Sequence, residues 1–175
     1  STVSAGRVVV AAGWEGGSIE GVPFLPLEPV RGQMAALGPL PGTPRPILHG
    51  PGVYVVTRRS GRVLLGATME RVGARPWVTP GGIHDLLVRA RALLPGLGPL
   101  APDEVWAGLR PATPDGLPVV GPDPEVAGLL HAGGHFRNGI LLAPLTGQII
   151  ADLVLSRPPR VPVGPLRPDR FDSPS

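Results

Sequence analysis

The chain has 175 residues, 42% of them hydrophobic, which suits one globular domain or parts of two small ones and excludes a mostly disordered chain. It contains no cysteine, so disulfides, thiolate metal sites and cysteine nucleophiles are excluded. All 16 basic residues are arginine, so Schiff-base and phosphate-loop lysines are excluded as well. The formal net charge is only +3, and the arginines are dispersed except for Arg157, Arg160, Arg167 and Arg170 near the end, which read as a solvated tail in preference to a polyanion site. With no run of 18 apolar residues and no charged-then-apolar leader, neither a membrane span nor a secretory signal is expected. The expected location is cytoplasmic, with no nucleic-acid or membrane partner.

In chain order, "GRVVVAAG" from Gly6 to Gly13 predicts a fully buried, parallel strand. Residues 16–28 are turn-rich, and "VRGQMAAL" (30–37) predicts a strand with a bulge at its glycine. "GVYVVTRRSGRVLLGAT" (52–68) predicts a β-hairpin turning at Ser60-Gly61. From Gly81 to Leu94, apolar residues recur at i, i+3, i+4 and i+7, predicting an amphipathic helix stopped by Pro95-Gly96. Residues 104–122 read as a strand, a turn at 114–116 and a short strand. "GLLHAGG" (128–134) reads as a further strand, followed by a helix from about Gly139 to Ser156. Strands segregated around hairpins and two helices make the fold class α+β.

Two stretches carry candidate chemistry. In "GGHFRNGILLAP" (133–144), glycines and polar groups precede a helix whose first N–H groups have no partner within the helix and whose dipole favours an electron-rich group. An anion site and a merely capped structural helix are both consistent with that spacing. In "WAGLRPATPDGLPVVG" (106–121), Arg110 sits between a leucine and a proline at a strand end. Its guanidinium can grip a carboxylate through two parallel hydrogen bonds, or simply pair with the nearby Asp115.

Five motifs, "VRGQM", "YVVTRRSGRVLLGATME", "LLPGL", "WAGLRPATPDGLPVVGP" and "GGHFRNGILLAPLTGQIIADL", resemble in order and spacing the C-terminal half of the glycine-oxidase, thiamine-biosynthesis branch of the FAD-dependent D-amino-acid oxidase family. The resemblance covers nearly all of residues 6–156. It implies noncovalent FAD, hydride transfer from an amine next to a carboxylate, and release of hydrogen peroxide. It assigns catalytic roles to Arg110 as carboxylate clamp, to Tyr54 facing the substrate and to Arg137 as a second arginine at the site, and makes Met69 a further substrate-lining residue. It also places Gly134, His135, Phe136, Arg137, Asn138, Gly139, Ile140 and Leu141 along the flavin, with Gly13 and Trp14 next to the cofactor. His135 is expected to pack or hydrogen-bond there and not to act as a base.

The implied architecture is an antiparallel substrate-binding sheet with helices, plus the last strands and helix of an FAD-binding α/β domain whose N-terminal half is missing. Its expected boundaries are 1–24 (FAD-domain strand), 25–112 (substrate-binding domain), 113–157 (flavin-facing loop and helix) and 158–175 (tail). The dinucleotide fingerprint is absent: "GWEGGSIEG" (13–21) follows the wrong strand. The missing half is therefore an expected partner, in the same polypeptide or as a separate chain, alongside a small amino-acid substrate and self-association into a homo-oligomer. The chain alone is expected to hold FAD poorly and to be inactive. Thr57, where relatives carry proline, and Gly52, where they carry a polar residue, depart from the family pattern. The alternatives are a sarcosine-oxidase-like amine oxidase or dehydrogenase subunit, and a non-catalytic carboxylate-binding or assembly domain.

Overall fold

The computed structural model describes residues 3–40, 42 and 44–171. The chain divides into two compact units, Val30–Leu109 and the combination of Ser1–Pro29 with Arg110–Ser175.

The 30–109 unit rests on five strands: β2 (Glu28–Leu37), β3 (Leu48–Gly50), β4 (Val53–Thr57), β5 (Val63–Gly66) and β6 (Pro102–Ala112), in the order β3-β4-β5-β2-β6. The hairpin predicted at Ser60-Gly61 is the β4–β5 pair, with Tyr54 opposite Gly66 and Thr57 opposite Val63. Gly61, at φ +85°, makes its turn and donates to the Arg58 carbonyl at 2.9 Å. Side-chain alternation puts Val53, Val55, Val63, Leu65, Ala35 and Leu37 on one buried face. Helix α1 (Pro80–Leu93) covers that face with Leu86 and Ala90, close to the bounds its periodicity predicts. The Thr79 hydroxyl caps it by accepting from the Gly82 amide at 3.2 Å, and Pro80 stands in the first turn, where no N–H is needed.

The bulge expected at Gly32 lies instead on the partner strand. Ala35 opposes Leu65 and Arg31 opposes Glu70, so the 66–69 side carries the one extra residue while β2 runs on unbroken. β3, a three-residue strand between prolines, is an addition to the predicted elements.

In the other unit, β1 (Val8–Val10) pairs parallel with β8 (Leu129–Gly133), and β8 pairs antiparallel with β7 (Val119–Pro122). The predicted parallel strand therefore exists, but it is neither as long as Gly6–Gly13 nor fully buried. Val8 is 52% exposed because, among the described residues, β1 is the sheet edge with a neighbour on one side only. His131, buried at the centre of β8, meets Asp123 at 2.7 Å, and the second Asp123 oxygen accepts from the Glu125 and Val126 amides. Helix α2 (Gly139–Val154) packs on β7 and β8. No helix of the described residues is long and apolar enough to cross a membrane.

The expected solvated tail is corrected in part. Two short 3-10 turns, Gly164–Leu166 and Pro168–Phe171, lie against β7, with Pro168 buried and the Arg167 stem close over Gly121. The cause is a set of specific bonds from Arg170, described below, which composition does not reveal.

Candidate functional site

In the unit formed by residues 1–29 and 110–175, β8 delivers the chain to Gly134. Its φ is +71°, and a Cβ there would stand 2.8 Å from Thr113 Cγ2 and 3.3 Å from the Val119 amide nitrogen. Conformation and space thus both demand glycine. Phe136 follows at φ +50°, a left-handed conformation that a side chain with a Cβ adopts only when its surroundings impose it. The Asn138 amide closes the turn on the His135 carbonyl at 2.9 Å. Asn138 then occupies the N-cap of α2 without making a side-chain capping bond, and Ile140 and Leu141 in the first helical turn are exposed. The start of α2 therefore presents uncapped amides and the positive end of its dipole at an open apolar surface.

His135 Nε2 and Thr146 Oγ1 are 2.8 Å apart, tying the loop to the second turn of α2. Burial holds the His135 pKa below its ordinary value, favouring the neutral ring. Arg137 is exposed in the same turn, and Gly13 (φ +65°) and Trp14 open a 3-10 turn, Gly13–Ser18, after β1. That turn leads on to β2 with no α-helix between them, so it is not the glycine loop that holds the adenosine half of a flavin dinucleotide.

Arg110 is half-buried on β6, just before a turn built by side chains. The Thr113 hydroxyl donates to the Leu117 carbonyl at 2.7 Å, the Leu117 amide donates to Asp115 Oδ1 at 3.1 Å, and Gly116 sits at φ +74°. Both Asp115 oxygens are taken by Arg170, from Nε at 2.7 Å and Nη2 at 3.2 Å, so the local acid weighed as a partner for Arg110 is committed elsewhere.

The 30–109 unit carries Tyr54 and Met69. Tyr54 lies across Gly66, where a Cβ would come within 2.2 Å of the ring, and its hydroxyl donates weakly to Met34 Sδ at 3.8 Å. Met69 is 63% exposed, although both its neighbours are anchored. Gln33 is fully buried; its amide donates to Thr68 Oγ1 at 2.8 Å and its Nε2 donates to Glu70 Oε1 at 2.7 Å. Gln33 Oε1 accepts from the Thr79 amide at 2.7 Å, and a Cβ on Gly82 would strike the Gln33 side chain at 2.1 Å. Arg31 donates to Glu70 through Nε and Nη2 and to the Trp77 carbonyl at 3.1 Å. This network, absent from the sequence-based site, fixes the bulged 66–70 segment that displays Met69. Its signal was available: Arg31 and Gln33 continue the Ala35–Leu37 alternation on the buried face, where polar side chains need partners. Gly52, the departure beside Tyr54, has a local cause, since its φ is +68° and a Cβ would meet Arg89 Nη1 at 2.7 Å.

Burial raises the Glu70 pKa, but hydrogen bonds from Thr68, Arg31 and Gln33 together outweigh it and leave the group below its ordinary value of 4.5. The stabilisation it brings is accordingly complete above that value and lost as the pH falls through the lower folded-state pKa. Replacing Glu70 with alanine strands the buried Arg31 guanidinium and is expected to cost about 3–5 kcal/mol in denaturant unfolding, with a flattened acid limb; a loss within roughly 0.5 kcal/mol would show the pair to be idle.

Comparison with known proteins gives the family of the chain. Residues 1–153 match the family described as DAO, FAD dependent oxidoreductase. Over 152 residues the chain is 46% identical to the Bifunctional protein ThiO/ThiG of Synechocystis sp., covering 84% of this chain and 23% of that protein. It is 40% identical to the glycine oxidase of Bacillus subtilis, covering 89% of this chain and 42% of that one. The crystal structure of glycine oxidase from Geobacillus kaustophilus superposes with a TM-score of 0.87 at 36% identity, over 94% of this chain and 45% of the other. The chain thus spans less than half the length of these relatives. With the family matched over residues 1–153 of its 175, this chain belongs to the FAD-dependent oxidoreductases.

Proposed function

We propose that this chain is the substrate-binding and flavin-facing portion of an FAD-dependent amino-acid oxidase. Its reaction converts glycine or a small D-amino acid, with dioxygen and water, to the oxo acid, ammonia and hydrogen peroxide. The observation that carries this is the turn at Gly134–Asn138: a glycine with no room for a side chain, a left-handed Phe136 and an uncapped, exposed helix start. A flavin held by the 134–141 loop would supply the hydride-accepting, dioxygen-reactive chemistry. The chain's own groups bind and orient. The amides at the start of α2 favour electron-rich character in the ring edge against them. Arg110 takes the substrate carboxylate through its fork, and Arg137 adds positive charge nearby. Tyr54 and Met69 line the substrate side. His135, held neutral and bonded to Thr146, keeps the loop in place and takes no proton from the substrate.

In the same proposal, a dinucleotide-binding half, in the same polypeptide or another, extends the sheet beyond β1. The exposure of Val8 and Val9 supports this, as does a recess of about 470 Å³ along that edge lined by Val8, Ile19, Val22 and Leu129. A destination in thiazole and thiamine synthesis is supported by the fused name of the Synechocystis relative. Assembly into a homo-oligomer belongs to the same proposal. The test is peroxide release by the flavin-loaded enzyme on glycine, sarcosine and D-alanine. Peroxide with equimolar ammonia from glycine is expected. Carboxylate binding without peroxide from any of the three would leave a non-catalytic binding domain instead.

A further inference from the structure

Arg170 is bonded far more completely than an arginine of a solvated tail. Nε and Nη2 grip Asp115 in a fork at 2.7 and 3.2 Å, Nη2 also donates to the Leu117 carbonyl at 2.8 Å, and Nη1 donates to the Leu166 and Arg167 carbonyls at 2.9 and 3.0 Å. All five guanidinium donors are spent, and Cζ stands over the Phe171 ring, 4.1 Å from its centroid. The partners span more than 50 residues of chain, so the bonds fasten segment 164–171 across the 113–117 turn. That turn holds two groups of the site. Its Thr113 methyl fills the space that a Gly134 side chain would need, and its first residues continue directly from Arg110. Hydrogen bonding from Arg170 holds the Asp115 pKa down to about 2, so the clasp stays charged throughout the working pH range.

We propose that Arg170 is a positioning residue: by clasping Asp115 and Leu117 it sets the Thr113 turn, and through it the placement of Arg110 and of the Gly134 loop against substrate and flavin. This rests on the assignment of Arg110 as carboxylate clamp. Displacing a clamp by a fraction of an ångström weakens binding and alignment without removing the chemistry.

The test measures steady-state kinetics of the flavin-loaded oxidase for Arg170→Ala, Arg170→Lys and Asp115→Asn, with Arg110→Ala alongside. Asp115→Asn keeps an oxygen for the Leu117 amide and removes only the charged fork, so it serves where Arg170→Ala fails to fold. Arg170→Ala and Asp115→Asn are expected to raise the KM for glycine about tenfold with kcat within about twofold, and Arg170→Lys to recover part of the loss. A general loss of folded enzyme would instead lower the active fraction and leave KM unchanged. If Arg110→Ala raises KM while both clasp variants leave it at the parent value, the positioning role is wrong and the clamp stands. If Arg110→Ala itself leaves KM unchanged, the clamp assignment falls, and the positioning role falls with it.

Discussion

Arg110→Ala is expected to lower kcat/KM for glycine in the flavin-loaded oxidase by on the order of 100-fold or more, mostly through KM. A bidentate, charge-assisted pair in a half-buried setting accounts for about 3 kcal/mol, and each 1.4 kcal/mol is a factor of ten. The effect is large because the backbone fixes the fork. Arg110 is followed at once by Pro111, then by the buried Ala112 and by Thr113, whose hydroxyl is tied to Leu117. Arg110→Lys, with a single point charge, should recover only part of the loss. Stopped-flow binding of glycine under nitrogen checks this, and an unchanged dissociation constant in Arg110→Ala would remove the clamp from the mechanism.

The second large effect is expected at Gly134. Gly134→Ala forces a side chain into φ +71° and brings its Cβ to 2.8 Å from Thr113 Cγ2, so the loop must move. The backbone conformation costs about 1–2 kcal/mol and the overlap about 1–3 kcal/mol more. Gly73→Ala, outside that loop and the 113–117 turn, is the matched control: its φ is +70°, but nothing lies within 4 Å of the added carbon. Both variants should lose the backbone contribution in thermal unfolding. Only Gly134→Ala should also weaken flavin retention, by tenfold or more in equilibrium dialysis. Equal retention in the two would dissociate the loop from the cofactor.

Elements with a clean period were legible in the sequence. The α1 face, the β4–β5 hairpin and α2 each follow from spacing, and the structure holds them within a few residues of expectation. Where several side chains share one arrangement, local pattern fell short. The bulge was assigned to Gly32 because glycine marks bulges, whereas the slip is forced opposite it, where Thr68 and Glu70 both turn toward Gln33 and Arg31. Arg170 read as one more solvated arginine because its partner lies 55 residues away, beyond any local window. β1 read as buried because its composition suits a strand with neighbours on both sides, and the described residues supply only one of them. For the candidate site, the loop 133–141 and Arg110 stood out by residue type. The bonded set beside them, Thr113, Asp115 and Arg170, emerges only when the turn and the segment 164–171 are seen together.

The most direct test of the central claim is a visible absorption spectrum of the flavin-loaded protein, this chain joined with its dinucleotide-binding half, before and after glycine is added without oxygen. Bleaching of the yellow bands by glycine, and their return on admitting air with release of hydrogen peroxide, is the predicted result. Bands that stay unchanged under saturating glycine, sarcosine and D-alanine would contradict an amino-acid oxidase and leave these residues a scaffold without that chemistry.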